Sequence, residues 1–160
     1  MARLTDLPLK YRLSMAMYRY RRVDWKSDAV LDIPLSQARI AVVTTAAFHT
    51  PDQPAFDESL RGGDVSFRLI PVGTRLEDLR IAHRSDAFDH RGIEADKNLA
   101  LPLDRLEELA RDRRIGCVAP RHVSFMGSIP APARLIAATA PEVAGLLCSD
   151  GVDGVLLTPV

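Results

Sequence analysis

The chain has 160 residues, 47% hydrophobic and 26% charged, with 21 basic and 21 acidic side chains that cancel to a formal net charge of +0. This composition fits one globular domain with room for a core. It excludes a binder driven by bulk charge toward nucleic acid or an anionic membrane, and no apolar run approaches the roughly 20 residues of a membrane span.

The first 36 residues read as a separate basic helix and linker, with the body at 37–160. Met1 to Lys26 carry seven Lys/Arg against Asp6 and Asp24. Leu9, Leu13, Ala16, Met17 and Tyr20 fall at helical spacing after Pro8. An arm packed on its own domain is the simpler reading, and a docking helix for a second subunit is the alternative. A linker from Trp25 to Ser36 follows. Ala38–Thr45 (ARIAVVTT) is a β-branched strand, and Val65–Val72 (VSFRLIPV) a second. A short helix or turn is expected over 74–79, and a polar irregular loop over 82–101. Pro102–Arg113 is a helix, with proline in its first turn, acids early, arginines late and an apolar stripe of Leu103, Leu106, Leu109 and Ala110. Ile115–Ala119 is a third strand. Ala131–Leu147 is helical and expected to break before Pro141. Val152–Leu157 is a fourth strand. Strands alternating with helices imply a three-layer α/β fold: a mainly parallel sheet with helices on both faces.

The polar residues gather after strand ends, where open α/β sheets place their ligands. Thr44, Thr45 and His49 follow the first strand. Asp57 and Asp64 lie in the next loop, and both also suit turns and caps. Arg68 lies within the second strand, where its planar fork suits a carboxylate. His83, Asp86, Asp89, His90, Asp96 and Asn98 fill the long loop. Arg121, His122 and Ser124 follow the third strand. The four histidines show no zinc spacing, and His90 reads as a loop residue bonded to backbone. Gly62-Gly63 lacks the P-loop lysine and the dinucleotide spacing, and there is no nucleophile elbow. Cys117 and Cys148 make neither a metal pattern nor a disulfide framework. With no signal peptide, a reducing cytoplasm is the expected compartment.

ARIAVVTTAAFHT, FDESLRGGDVSFRLIP, IAHRSDAFD, DKNLALPLDRLEELARDRRIGCVAPRHVSFMG and DGVDGVLLTPV occur in this order. Over residues 34 to 160 they resemble the selenoprotein B family of glycine/sarcosine/betaine reductase and D-proline reductase. The resemblance implies reductive cleavage of a C–N bond in a small amino acid or N-methyl amino acid. A selenolate or thiolate would attack the α-carbon, with partner reductase subunits and neither metal nor flavin. It marks Thr44, Thr45, Asp64, Arg68, Asp96, Asn98 and Ser124 as substrate-binding residues. His49, His83 and His122 would position or protonate the leaving amine.

None of these residues is a soft nucleophile. Cys117 lies in an apolar strand, where a thiol behaves as a core residue, and Cys148 closes an apolar helix beside Ser149-Asp150. The family pattern places a cysteine or selenocysteine motif directly after the last strand. Two readings stay open: a reductase component whose selenol or thiol lies outside these residues, and a non-catalytic small-carboxylate or subunit-binding protein with the same fold, a homo-oligomer among the possible assemblies. The first carries an expectation at the gene level. Selenocysteine is encoded by UGA, and the natural frame is expected to continue through UGA at or very near codon 161 into a cysteine-containing segment. Sequencing the gene tests this; UAA or UAG after Val160, or no open frame beyond UGA, refutes it.

Overall fold

The computed structural model describes residues 29–85 and 90–160, together with residues 9, 12, 13 and 17. The chain divides into two compact units, Met1–Val30 and Leu31–Val160. In the first, Leu9, Arg12, Leu13 and Met17 are helical and exposed. Ala16, Tyr20 and Trp25, and in the long loop Asp86 and Asp89, lie outside the described residues. Among the described residues no helix is long and apolar enough to cross a membrane.

The second unit is built on β1 (Arg39–Thr44), whose sequence RIAVVT is buried on both faces at its centre. Such a strand needs neighbours on both sides and cover above and below. β5 (Cys117–Val118) and β6 (Arg121–Phe125) run parallel to it on one side. β7 (Gly154–Thr158) runs parallel to it on the other. β3 (Phe67–Pro71) closes the sheet antiparallel to β6. The order is therefore β3–β6–β1–β7, with β5 continuing the line of β6. A small antiparallel pair, β2 (Phe48–His49) and β4 (Arg80–Ile81), stands apart.

Successive strand residues point to opposite faces, and the two cores follow that alternation. Ile40, Val42 and Ile70 pack with Ile93 of α1 (His90–Ala95) and with Leu103 and Leu106 of α2 (Leu103–Arg111). Ala41, Val123 and Phe125 pack with Val143 and Leu147 of α3 (Ala140–Ser149). The α/β reading and the helical cover on both faces hold, with short helices.

Four local features depart from expectation. β6 was expected as loop because His122 and Ser124 interrupt its apolar run. β3 is antiparallel to its neighbour. The polar loop 82–101 contains α1 and a 3-10 turn, Lys97–Leu99. The helix before Pro141 does not break: a π turn, Leu135–Thr139, leads directly into α3, with the Ala140 N–H bonded to the Leu135 carbonyl. The wider turn carries the helix into a proline, which lacks an N–H and would crowd a regular preceding turn.

Among the described residues β7 pairs with β1 alone and forms the edge of the sheet, yet its side chains are apolar on both faces: Val155, Leu156 and Leu157 are 43%, 41% and 67% exposed. Gly116 marks the tightest backbone approach. A Cβ there would lie 2.3 Å from the Gln37 carbonyl carbon, and its N–H donates to Ala38 at 2.9 Å. Gly116→Ala should cost about 1–3 kcal/mol by overpacking, lowering Tm by roughly 3–10 °C. Gly145 of α3 has nothing within 4 Å of a built Cβ. Gly145→Ala should raise stability by about 0.5–1 kcal/mol. Thermal melts of the two variants should move in opposite directions.

Candidate functional site

Register places one polar rung across the sheet at the carboxyl ends of its parallel strands. Arg68 pairs with Ser124, Ser124 with Thr44, and Thr44 with Thr158. Directly paired residues share a face, so all four point to the α2 side. Thr44 Oγ1 accepts from the Ala46 N–H at 3.2 Å and donates to the Thr158 carbonyl at 3.4 Å. Thr158 Oγ1 donates to Ala100 at 2.7 Å, holding the loop before α2 over the rung. Thr45 Oγ1 accepts from the Val160 N–H at 3.0 Å.

His122 lies two residues before Ser124 on the same face. The ladder between β1 and this side is interrupted at Ala119-Pro120, and the Val42 N–H donates instead to His122 Nδ1 at 3.0 Å. A nitrogen that accepts carries no proton, so the neutral ring is protonated at Nε2. His122 and Ser124 are both 0% exposed. Nε2 of His122 and Oγ of Ser124 have no hydrogen-bond partner among the described residues. Burial pushes the His122 pKa down to about 4.

His83 lies close to Gly127, just beyond β6. Its Nδ1 accepts from the Ser85 N–H at 3.2 Å. Its ring stands edge-on to His90 with centroids 6.4 Å apart. Burial first, and then the His90 charge, lower its pKa. Gly127 is the close contact here: a Cβ would meet the Thr45 carbonyl oxygen at 2.8 Å and His83 Nε2 at 3.1 Å. Ala47, fully buried, takes φ 57, and its N–H donates to the Phe125 carbonyl. A non-glycine residue held in this region is strained by on the order of 1–3 kcal/mol, the kind of backbone that gathers at functional sites.

The remaining candidates serve the loops. Arg68 donates from Nε to Pro54 at 2.7 Å, from Nη1 to Ser66 Oγ and Phe67, and from Nη2 to Ala55. Its guanidinium also stacks 4.3 Å from the Phe56 ring centroid. Asp64 accepts from the Asp57 N–H and from the Ser66 N–H and hydroxyl. Burial alone would raise its pKa; these hydrogen bonds and the Arg68 charge outweigh it and hold the carboxyl low. Asp96 caps the 3-10 turn through the Asn98 N–H. Asn98 exchanges two hydrogen bonds with Asp104 at the start of α2. His49 is turned to its own chain, with Nδ1 3.0 Å from the Thr50 carbonyl oxygen. Among the described residues no three His, Cys, Asp or Glu side chains gather as a metal site.

A cleft of about 660 Å³ opens at this same end, between the loop entering β3 and the chain leaving β6. Of the expected site residues only Asp64 lines it. Arg61, Arg134, Thr139 and Glu142, which the sequence offered no reason to select, line it as well. Both cysteines sit at the far end. Cys117 registers with Arg39 at the amino end of β1, and Cys148 is exposed in the last turn of α3.

With the geometry in view, comparison with known proteins assigns the family. The model described as Glycine/sarcosine/betaine reductase selenoprotein B matches residues 1–160. The chain belongs to that family. It is 33% identical over 124 residues to D-proline reductase subunit gamma of Acetoanaerobium sticklandii, covering 78% of this chain and 49% of that protein. It is 32% identical over 160 residues to betaine reductase complex component B subunit beta of Peptoclostridium acidaminophilum, covering 98% of this chain and 36% of that protein. The chain thus spans about half the length of the first relative and about a third of the second. No solved structure matches it.

The buried imidazole of His122 generates a pH prediction. The unfolded chain takes up a proton near pH 6.5 that the folded chain refuses until about 4. The stability this group confers is complete above about pH 6.5 and is lost as pH falls to about 4, by on the order of 3 kcal/mol. His83, lowered in the same direction, adds to the same window. Urea unfolding of wild type should weaken from pH 7 to 4.5 more steeply than that of His122→Gln. Equal slopes would contradict the assignment.

Proposed function

We propose that this chain is the substrate-side portion of an amino-acid reductase, acting in reductive C–N cleavage of a small amino acid or N-methyl amino acid. The attacking selenol or thiol comes from sequence outside these 160 residues or from a partner reductase subunit. The observation that carries this reading is the strand-end rung of Thr44, Ser124 and Thr158 with His122 beside it, in a member of this family. His122 Nε2–H and Ser124 Oγ supply donors without partners among the described residues. His83, near Thr45 and Gly127, is the histidine suited to place a proton on the leaving amine. Thr45 belongs to the same lip.

Arg68, Asp64, Asp96 and Asn98 act in this reading by holding the loops that frame the crevice. His49 acts at one remove, on β2. Neither cysteine serves the reaction, because each lies at the amino end of the sheet. A non-catalytic binding protein would share this geometry, and the position of the cysteines is what favours that second reading.

The two readings separate in a reconstitution. The purified chain alone, given dithiothreitol and glycine, sarcosine, betaine or D-proline, should release no amine or ring-opened product. Adding a selenol- or thiol-bearing reductase subunit should produce it, and His83→Ala should then lower the rate at least tenfold. Turnover by the chain alone would overturn the placement of the nucleophile. Binding with no turnover under any supplementation would favour the non-catalytic reading.

A further inference from the structure

The cleft, at the strand-end side of the protein and on the α3 face of the sheet, carries charges of both signs that no protein group pairs among the described residues. Its outer wall is the loop Leu60–Ser66, held by the three hydrogen bonds to Asp64. Its inner wall is the chain from Ala131 into the π turn and α3. The walls are stitched at one end by the Ala131 N–H to the Gly62 carbonyl at 3.2 Å. Gly63, at φ +84, comes so close that a Cβ would lie 2.7 Å from Ile129 Cα. Only glycine fits there, so the cleft's shape is set by backbone. Val65 and Phe67 supply apolar lining.

Arg61 and Arg134 have no ion pair or hydrogen bond among the described residues, and neither has Glu142; all three line the cleft. Asp64 also lines it, but its oxygens are taken by three donors and its charge is balanced by Arg68. Two exposed guanidinium groups and one exposed carboxylate therefore face the cleft with no protein partner among the described residues. Thr139 adds a hydroxyl from the π turn, a helix irregularity that recurs at functional sites. The volume lies within the usual range for small-molecule sites, about 300–1,000 Å³. Arg68, the one arginine in the strand-end rung, is committed to the 54–56 loop and to Ser66.

We propose that this cleft binds a small zwitterion, its carboxylate held by Arg61 and Arg134 and its cationic nitrogen facing Glu142. For the class of ligand the inference rests on the reductase reading; for the site it rests on the unpaired charges. The cleft lies on the α3 face of the sheet, with Phe67 in its lining, and the rung lies on the α2 face, so the cleft has a binding role only.

The test is titration of the ¹⁵N-labelled chain, with calorimetry, using D-proline, glycine betaine, acetate and tetramethylammonium. The zwitterions should shift the amides of Gly62, Gly63, Ser66 and Thr139 and bind more tightly than either acetate or tetramethylammonium. Arg134→Ala and Arg61→Ala should each weaken zwitterion binding about tenfold. Glu142→Gln should reduce the zwitterions toward the affinity of acetate. All three positions are exposed, and unchanged amide spectra elsewhere verify the fold. Absence of shifts at these amides, or acetate binding as well as the zwitterions with Glu142→Gln silent, overturns the proposal. Cleft binding without turnover in the reconstituted system would refute the reductase reading alone, whereas turnover without cleft shifts would refute the cleft alone.

Discussion

One side chain completes the hydrogen bonding of the central strand. Where Ala119-Pro120 interrupts the ladder, the Val42 N–H would be left unmatched in the core. The imidazole of His122 takes it at 3.0 Å. A buried N–H without a partner costs on the order of 1–3 kcal/mol, so the fold needs this ring neutral and in one orientation. That requirement fixes the tautomer. It also places a donor, Nε2–H, on the face of β6 that carries Ser124. Sheet integrity and the polar character of the strand ends thus depend on the same residue.

Around that ring, the polar residues divide between framing and facing. Asp64, Ser66 and Arg68 knit the loop that enters β3, and Asp96, Asn98 and Asp104 set the start of α2. Arg121 makes a bidentate pair with Asp150, at 2.6 and 2.8 Å, joining β6 to the end of α3. That pairing first, against the opposing effect of burial, keeps the Asp150 carboxyl low. The first two sets hold loops at the carboxyl ends of the strands, which a scaffold must do before its side chains can act on a ligand, and the Arg121–Asp150 pair ties down the amino end. They give a physical reason for the long run from Asp96 to Leu109: much of it encodes a helix start, not chemistry.

The sheet's backbone was legible because burial wrote it in plain alternation. β1 is apolar on both faces, and α2 carries caps, dipole-matched charges and a single stripe. β6 was not legible, because RHVSF shows polar side chains on the face that lines the strand ends, which looks like a loop to any hydrophobic pattern. The direction of β3 was equally hidden, since FRLIP reads the same whether paired parallel or antiparallel. At the strand ends, register puts Thr44 beside Ser124, with His122 two residues earlier on the same face. Residue type alone could not distinguish an arginine with its donors filled, Arg68, from two with theirs open, Arg61 and Arg134. That distinction depends on loops whose courses are set by Gly63 and by the π turn, and neither has a periodic signature.

The edge strand has a consequence for the chain's behaviour in solution. β7 offers a row of backbone donors and acceptors flanked by Val155, Leu156 and Leu157, with no proline, bulge or inward charge within Gly154–Thr158 to blunt it. Such an edge is a template for strand addition. At high concentration, in a chain of these 160 residues alone, such an edge favours strand-to-strand growth. A lysine in place of Leu157, the most exposed of the three, would act as a gatekeeper against that growth.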